Sequence, residues 1–123
     1  MSDQDDVRRI ALSLPGAVEE GRGYRVNGKQ FVWTYPEKVH PKKPRVPNPE
    51  VLCIRVADDE EKQMLLDADP AKFFTTDHYN GYPAVMVRLR HIEPAELAAL
   101  ITDAWRTRAP DKLLKEFDAG LGE

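Results

Sequence analysis

The sequence predicts an α+β domain, an antiparallel sheet with N- and C-terminal helices packed on one face. Three observations predict it. Helical periodicity is confined to the two ends and one short acidic segment between them. Alternating or continuous apolar runs fill the intervening stretches, as strands do, and Asn27-Gly28 marks a tight hairpin between two of them. The chain has 123 residues, 41% of them hydrophobic. That is one domain's length, enough to bury roughly two thirds of the unfolded surface.

The elements follow in order. Asp5 or Asp6 caps a first helix whose Val7, Ile10, Ala11 and Leu14 recur at helical spacing, and Pro15-Gly16 stops it. Tyr24–Val26 and Lys29–Tyr35 form the hairpin, with Phe31, Trp33 and Tyr35 expected on one face and Val32 and Thr34 on the other. Residues 36–50 hold five prolines among lysines and read as a long, partly polyproline loop within a single domain. Val51–Val56 is apolar on both faces, which suits a central strand. Asp58 or Asp59 caps a short acidic helix that Asp69-Pro70 ends. Phe73 and Phe74 fall in a turn, and Asn80-Gly81 signals another before the strand Ala84–Leu89. Pro94 opens a last long helix striped by Leu97, Leu100, Ile101, Ala104 and Trp105. Pro110 opens a terminal one, ended by Gly120.

Composition narrows the functional classes. No apolar run approaches the roughly 20 residues that span a bilayer, and the acidic N-terminus is unlike a signal peptide, so a cytoplasmic protein is expected. The single Cys53 excludes an intrachain disulfide framework and a multi-cysteine zinc site. The net charge of −3 hides an asymmetry. Residues 22–45 carry seven cations and one acid, a net of +6, against eleven cations and twenty acids elsewhere, a net of −9. A basic stretch of this kind attracts phosphates; the plain alternative is a solvated lysine-rich loop.

No enzyme signature stands out. His40, His78 and His91 lie in no metal motif, Cys53 sits in an apolar run that suits a buried thiol, and the glycines fit neither a P-loop nor a dinucleotide fingerprint. No catalytic residue, cofactor or resident metal is expected. The basic segment offers more. Lys29, Lys42, Lys43 and Arg45 are candidates to pair DNA phosphates, with Arg25, Arg88 and Arg90 as auxiliaries, Arg88 and Arg90 being expected on one sheet face. The competing reading is a small-molecule or protein-interaction module built on His78, Tyr79, Asn80 and Tyr82, whose donors, acceptors and rings suit a pocket.

The chain resembles the MmcQ/YjbR family of small bacterial proteins. The resemblance rests on Leu14-Pro15-Gly16-Ala17 with Glu19, Lys29 with Phe31, Leu52–Arg55, His78-Tyr79 and the C-terminal helix, over residues 5–115. His78–Pro83 and Asp103–Arg106 depart from the commoner members. The resemblance implies a CyaY-like (frataxin-like) fold and a double-winged DNA-binding protein with no established catalytic residues. The fold name also evokes iron held by acids of the first helix, here Asp3, Asp5 and Asp6, though capping accounts for acids at that place. The reading that results is a monomeric, non-enzymatic protein binding double-stranded DNA weakly and without sequence preference.

Overall fold

A computed structural model describes residues 1–121. Its elements are α1 (Gln4–Leu12), β1 (Val18–Glu20), β2 (Gly23–Val26), β3 (Lys29–Glu37), β4 (Val46–Arg55), α2 (Asp59–Ala68), β5 (Phe73–Phe74), β6 (Ala84–Arg88), α3 (Pro94–Arg106) and α4 (Asp111–Leu121). Single 3-10 turns lie at Asp77–Tyr79 and Leu89–His91. The six strands form one open antiparallel sheet in the order β1-β2-β3-β4-β6-β5, so the α+β expectation holds.

Capping chemistry sets the helix starts. Asp3, not Asp5 or Asp6, caps α1: its carboxylate accepts from the Asp6 amide while Asp6 reaches back to the Asp3 amide, both at 3.0 Å. This geometry holds the Asp6 carboxyl below its ordinary pKa, the backbone hydrogen bond at Asp3 being the main cause and Arg9 helping. Asp58 caps α2, its carboxylate accepting from the Glu61 amide at 2.9 Å, while Glu61 accepts from the Ala57 amide and not from that of Asp58. Pro94 occupies the first turn of α3. Gly120 lies inside α4, contrary to the expected stop, since the helix runs on to Leu121.

The helix-facing side of the sheet holds the main core. Val7 and Ile10 of α1 and Leu97, Ile101, Ala104 and Trp105 of α3 pack on Val32, Leu52, Ile54, Val85 and Val87. Trp105 is fully buried, its indole donating to the Pro15 carbonyl at 2.9 Å, and Phe117 of α4 lies 5.1 Å from its ring centre. These contacts tie the C-terminal helices to the end of α1.

Two irregularities interrupt the ladders on either side of β3. Tyr24 pairs with Val32 but Arg25 pairs with Gln30, leaving Phe31 as an extra residue. The bulge turns Phe31 into the helix-side core beside Val32. The expectation that Phe31, Trp33 and Tyr35 share a face is therefore corrected: strict alternation breaks at Phe31, and Trp33 and Tyr35 alone face the other way, toward Cys53 and Met86. Farther along, Thr34 pairs with Leu52 but Tyr35 pairs with Asn48, so β4 carries three residues that β3 does not match.

The prolines do not make a loop of 36–50. Tyr35, Pro36 and Glu37 pair with Asn48, Pro47 and Val46, and these six residues have no other strand neighbour. They form a two-stranded ribbon projecting past β2 and β6, closed by the turn at 38–45. Proline tolerates this position because an exposed ribbon needs fewer ladder hydrogen bonds than a sheet interior. Phe73-Phe74, expected as a turn, instead pairs with Met86 and Val87 as the edge strand β5.

Candidate functional site

The ribbon tip is exposed from Lys38 to Val46. Lys38, Lys42, Lys43 and Arg45 lie there, and residues 38–49 contain no acid. The turn is ordered by its own polar groups. The Lys43 amide donates to the His40 carbonyl at 3.2 Å, and the Lys42 amide to His40 Nδ1 at 3.1 Å. Lys38 Nζ donates to the Lys43 carbonyl at 2.7 Å, and Arg45 to the Pro36 carbonyl at 3.0 Å. Carbonyls leave the charge of both side chains uncancelled. Among the described residues none of the four cations forms an ion pair. The result is a positive tip whose backbone turn is held by its own hydrogen bonds.

The other expected phosphate contacts lie elsewhere. Lys29 sits beside the Asn27-Gly28 turn, where both residues have positive φ (53° and 74°), as a type I′ hairpin requires. That turn is at the far end of β3 from the ribbon, about 25 Å away by strand rise. Arg25 is near it, hydrogen-bonded to the Gly28 carbonyl at 3.2 Å and 3.5 Å from the Glu20 carboxylate. Arg88 is half-buried, donating to the Pro70 and Ala71 carbonyls while its guanidinium lies 4.2 Å from the centre of the Phe74 ring. It clamps the 70–74 segment onto β6. Arg90 does not continue the strand with Arg88; it stands on the 3-10 turn, 3.7 Å from Glu50. The seven residues thus separate into a tip without ion pairs (Lys42, Lys43, Arg45), a distant turn (Lys29, with Arg25 beside Glu20) and two arginines held elsewhere, Arg88 by carbonyls and Arg90 near Glu50.

The residues of the second reading are not gathered into one cavity either. Tyr79, on the 3-10 turn, is turned inward against the sheet face opposite α1 and α3, where it packs with Tyr35, Cys53 and Met86. Its hydroxyl accepts from Trp33 Nε1 at 3.2 Å and lies 3.8 Å from Cys53 Sγ. Burial pushes both the Tyr79 phenol and the Cys53 thiol up to about 12. A neutral, buried thiol of this kind is inert as a nucleophile. His78 is exposed, edge-on to the Tyr79 ring at 5.1 Å. Tyr82 is exposed, its ring centre 5.9 Å from that of Tyr79. Asn80 lines a separate hollow of about 550 Å³ with Gly81, Thr75, Lys62 and the acids Asp59 and Glu60 of α2.

Two residues that sequence reasoning passed over organise this region. Lys62 of α2 is buried, and Nζ donates to the Tyr79 carbonyl at 2.6 Å and the Tyr82 carbonyl at 2.8 Å. Burial lowers its pKa. Its register gave a signal: it stands three and four residues before Leu65 and Leu66, on the inward stripe of the helix. Arg55 follows Val51 and Cys53 at a spacing of two, on the same sheet face, and its guanidinium donates to the Tyr82 hydroxyl at 3.3 Å. Asp3 and Asp6 are occupied in the α1 cap, and no group of three or more His, Cys, Asp or Glu comes together among the described residues. No helix among them is long and apolar enough to cross a membrane.

The chain is similar to an uncharacterized protein of Mycobacterium bovis and to one of Mycobacterium tuberculosis, each 36% identical over 99% of this chain and 100% of the relative. A crystal structure of a Deinococcus radiodurans protein with the domain DUF419 superposes with a TM-score of 0.65, covering 85% of this chain and 77% of that one. At 20% identity this likeness speaks for the fold alone. The YjbR family model matches residues 12–107, from the end of α1 to just past the end of α3. With most of its length matched, the chain belongs to the YjbR family.

Proposed function

We propose that this is a non-enzymatic, monomeric cytoplasmic protein that binds double-stranded DNA through the β3–β4 ribbon, its tip lying against the phosphate backbone. One observation carries the reading: a ribbon that projects past the sheet ends in four cations with no acid in its turn, on a chain that is acidic elsewhere. Lys42, Lys43 and Arg45 make the main contacts, with Lys38 beside them. Lys29 and Arg25 reach DNA only where the duplex runs along the length of β3. Contacts of this kind hold phosphates without reading bases, so binding is weak and tolerant of sequence.

The test is fluorescence anisotropy of a labelled 20-base-pair duplex titrated with protein at several salt concentrations. Neutralising four phosphates gives a slope of log affinity against log salt of about −3.6. The double variant Lys42→Glu, Lys43→Glu abolishes binding while its thermal unfolding stays close to that of the parent, because both side chains are exposed. An undiminished affinity in that variant, or no binding at low salt, rejects the reading.

A further inference from the structure

Tyr82 lies at the edge of the second core, on the sheet face opposite α1 and α3, with 43% of its surface exposed. The ring is held in place. Trp33 and Tyr79 meet it at centroid separations of 6.4 and 5.9 Å and at steep angles of 78° and 68°. Arg55 donates to its hydroxyl, and the guanidinium carbon stands 5.3 Å from the ring centre. At 5.3 Å over the ring, and bonded to its hydroxyl, the guanidinium sits toward the oxygen end and is not stacked on the ring centre. Arg55 forms no ion pair among the described residues. A fixed, exposed aromatic ring beside an uncompensated guanidinium is the pairing that holds an unpaired nucleotide, the base on the ring and its phosphate on the cation.

We propose that this face binds unpaired nucleotides of a strand running on from a duplex held by the ribbon, with Tyr82 as the stacking platform and Arg55 as the phosphate contact. The proposal rests on the reading of the ribbon as the duplex contact. Two features favour this occupant. The charge is complementary: Arg55 brings a cation with no carboxylate partner, as the ribbon tip does. The two places are also continuous, since β3 carries Trp33 in the platform and, four residues on and about 13 Å away, Glu37 at the base of the tip. A paired base keeps both faces stacked in the helix, so the platform selects unpaired ones, and it does so for any base because each has a π-face.

Three probes test this at one fixed, low salt concentration: a blunt 20-base-pair duplex, the same duplex with a single-stranded oligothymidine tail, and a 20-residue oligothymidine alone. The tail raises affinity about tenfold over the blunt duplex, the gain expected from one stacked base. Tyr82→Ala removes the gain and leaves blunt-duplex affinity unchanged. Tyr82→Phe keeps the gain, since the ring remains. Arg55→Gln reduces it and serves as the second variant if Tyr82→Ala unfolds, which thermal melting reports. Equal affinity for tailed and blunt duplexes, or a gain that survives Tyr82→Ala, overturns the platform and leaves the ribbon reading intact. Tyr82-dependent binding of oligothymidine without any duplex binding rejects the ribbon and keeps the platform as a single-strand site. Binding of none of the three rejects both.

Discussion

Replacing Lys62 by Met keeps the aliphatic stem in place and removes the ammonium, which makes it a sharp probe of what holds the 79–82 segment to the sheet. In the parent, Nζ bridges the Tyr79 and Tyr82 carbonyls at 2.6 and 2.8 Å. Hydrogen bonds from a charged donor contribute about 1.5–3 kcal/mol each, so the two together are worth about 3–6 kcal/mol before any offset. The offset is the cost of burying the ammonium, whose presence shows in the lowered pKa and which the substitution relieves. Water also reaches the Tyr82 carbonyl more readily than the Tyr79 carbonyl, since the former bond is only partly buried. The balance is a loss of about 2–3 kcal/mol, or a drop in Tm of about 10 °C for a domain of this size. Thermal unfolding reads the total, and native-state hydrogen exchange locates it. The amides of Tyr79, Asn80 and Tyr82, bonded to the Thr76, Asp77 and Tyr79 carbonyls, exchange faster, while those of β4 and β6 slow or quicken only with the global stability. A variant with unchanged Tm and unchanged exchange at 79–82 would refute the bridging role of Lys62.

Three further outcomes are expected. Gly16→Ala destabilises by about 1–2 kcal/mol in denaturant titration, because φ is +71° and the added Cβ would stand 2.7 Å from Leu113 Cδ1, so the Leu113 side chain must also move aside; a stabilised variant contradicts this. In alkali, Cys53 and Tyr79 hold their protons more tightly folded than unfolded, with folded pKa values of about 12 against ordinary values of 9.0 and 10.0. Their contribution is thus complete below pH 9 and is lost as pH rises toward 12; the double variant Cys53→Ala, Tyr79→Phe flattens the fall measured by unfolding at pH 9 to 12, and an unaltered profile rejects the assignment. Lys29→Glu weakens binding of a 20-base-pair duplex less than Arg45→Glu does, since Lys29 stands about 25 Å from the tip, at the other end of β3; equal losses would place both on one surface.

The parts of the fold that were legible in the sequence are those decided within a few residues. The Asn27-Gly28 hairpin, the carboxylate cap before α2, the proline in the first turn of α3 and the apolar stripe around Ile101 each rest on local chemistry, and each stands as read. Phe31 does not, because a bulge is a property of two strands in register and no periodicity within one of them reveals it. Phe73-Phe74 is too short to show a period at all and becomes a strand only because β6 accepts it. The candidate site divides in the same way. The basic tip is visible as a run of residues, whereas the remoteness of Lys29, the clamping of Arg88 by carbonyls and the Arg55–Tyr82 contact depend on which strands lie side by side. Lys62 is the intermediate case, legible as a charge on an inward helical register but with partners 17 and 20 residues away.

The pairing of Pro36 with Pro47 has a consequence for how the molecule keeps to itself. A bare two-stranded ribbon presents free strand edges, the template on which other chains add and aggregates grow. Paired residues on such a ribbon either bond each other or aim their amides outward, and two facing prolines suit the second kind, since neither has an N–H to give its partner. The donors missing there are the ones an incoming strand would need on each edge. Lysines flanking the tip add mutual repulsion between copies. The composition that disguises the ribbon as a loop is thus what lets it protrude into solvent without becoming a seed for cross-β growth, and exchanging both prolines for valine should turn a solvent-tolerant arm into an adhesive one.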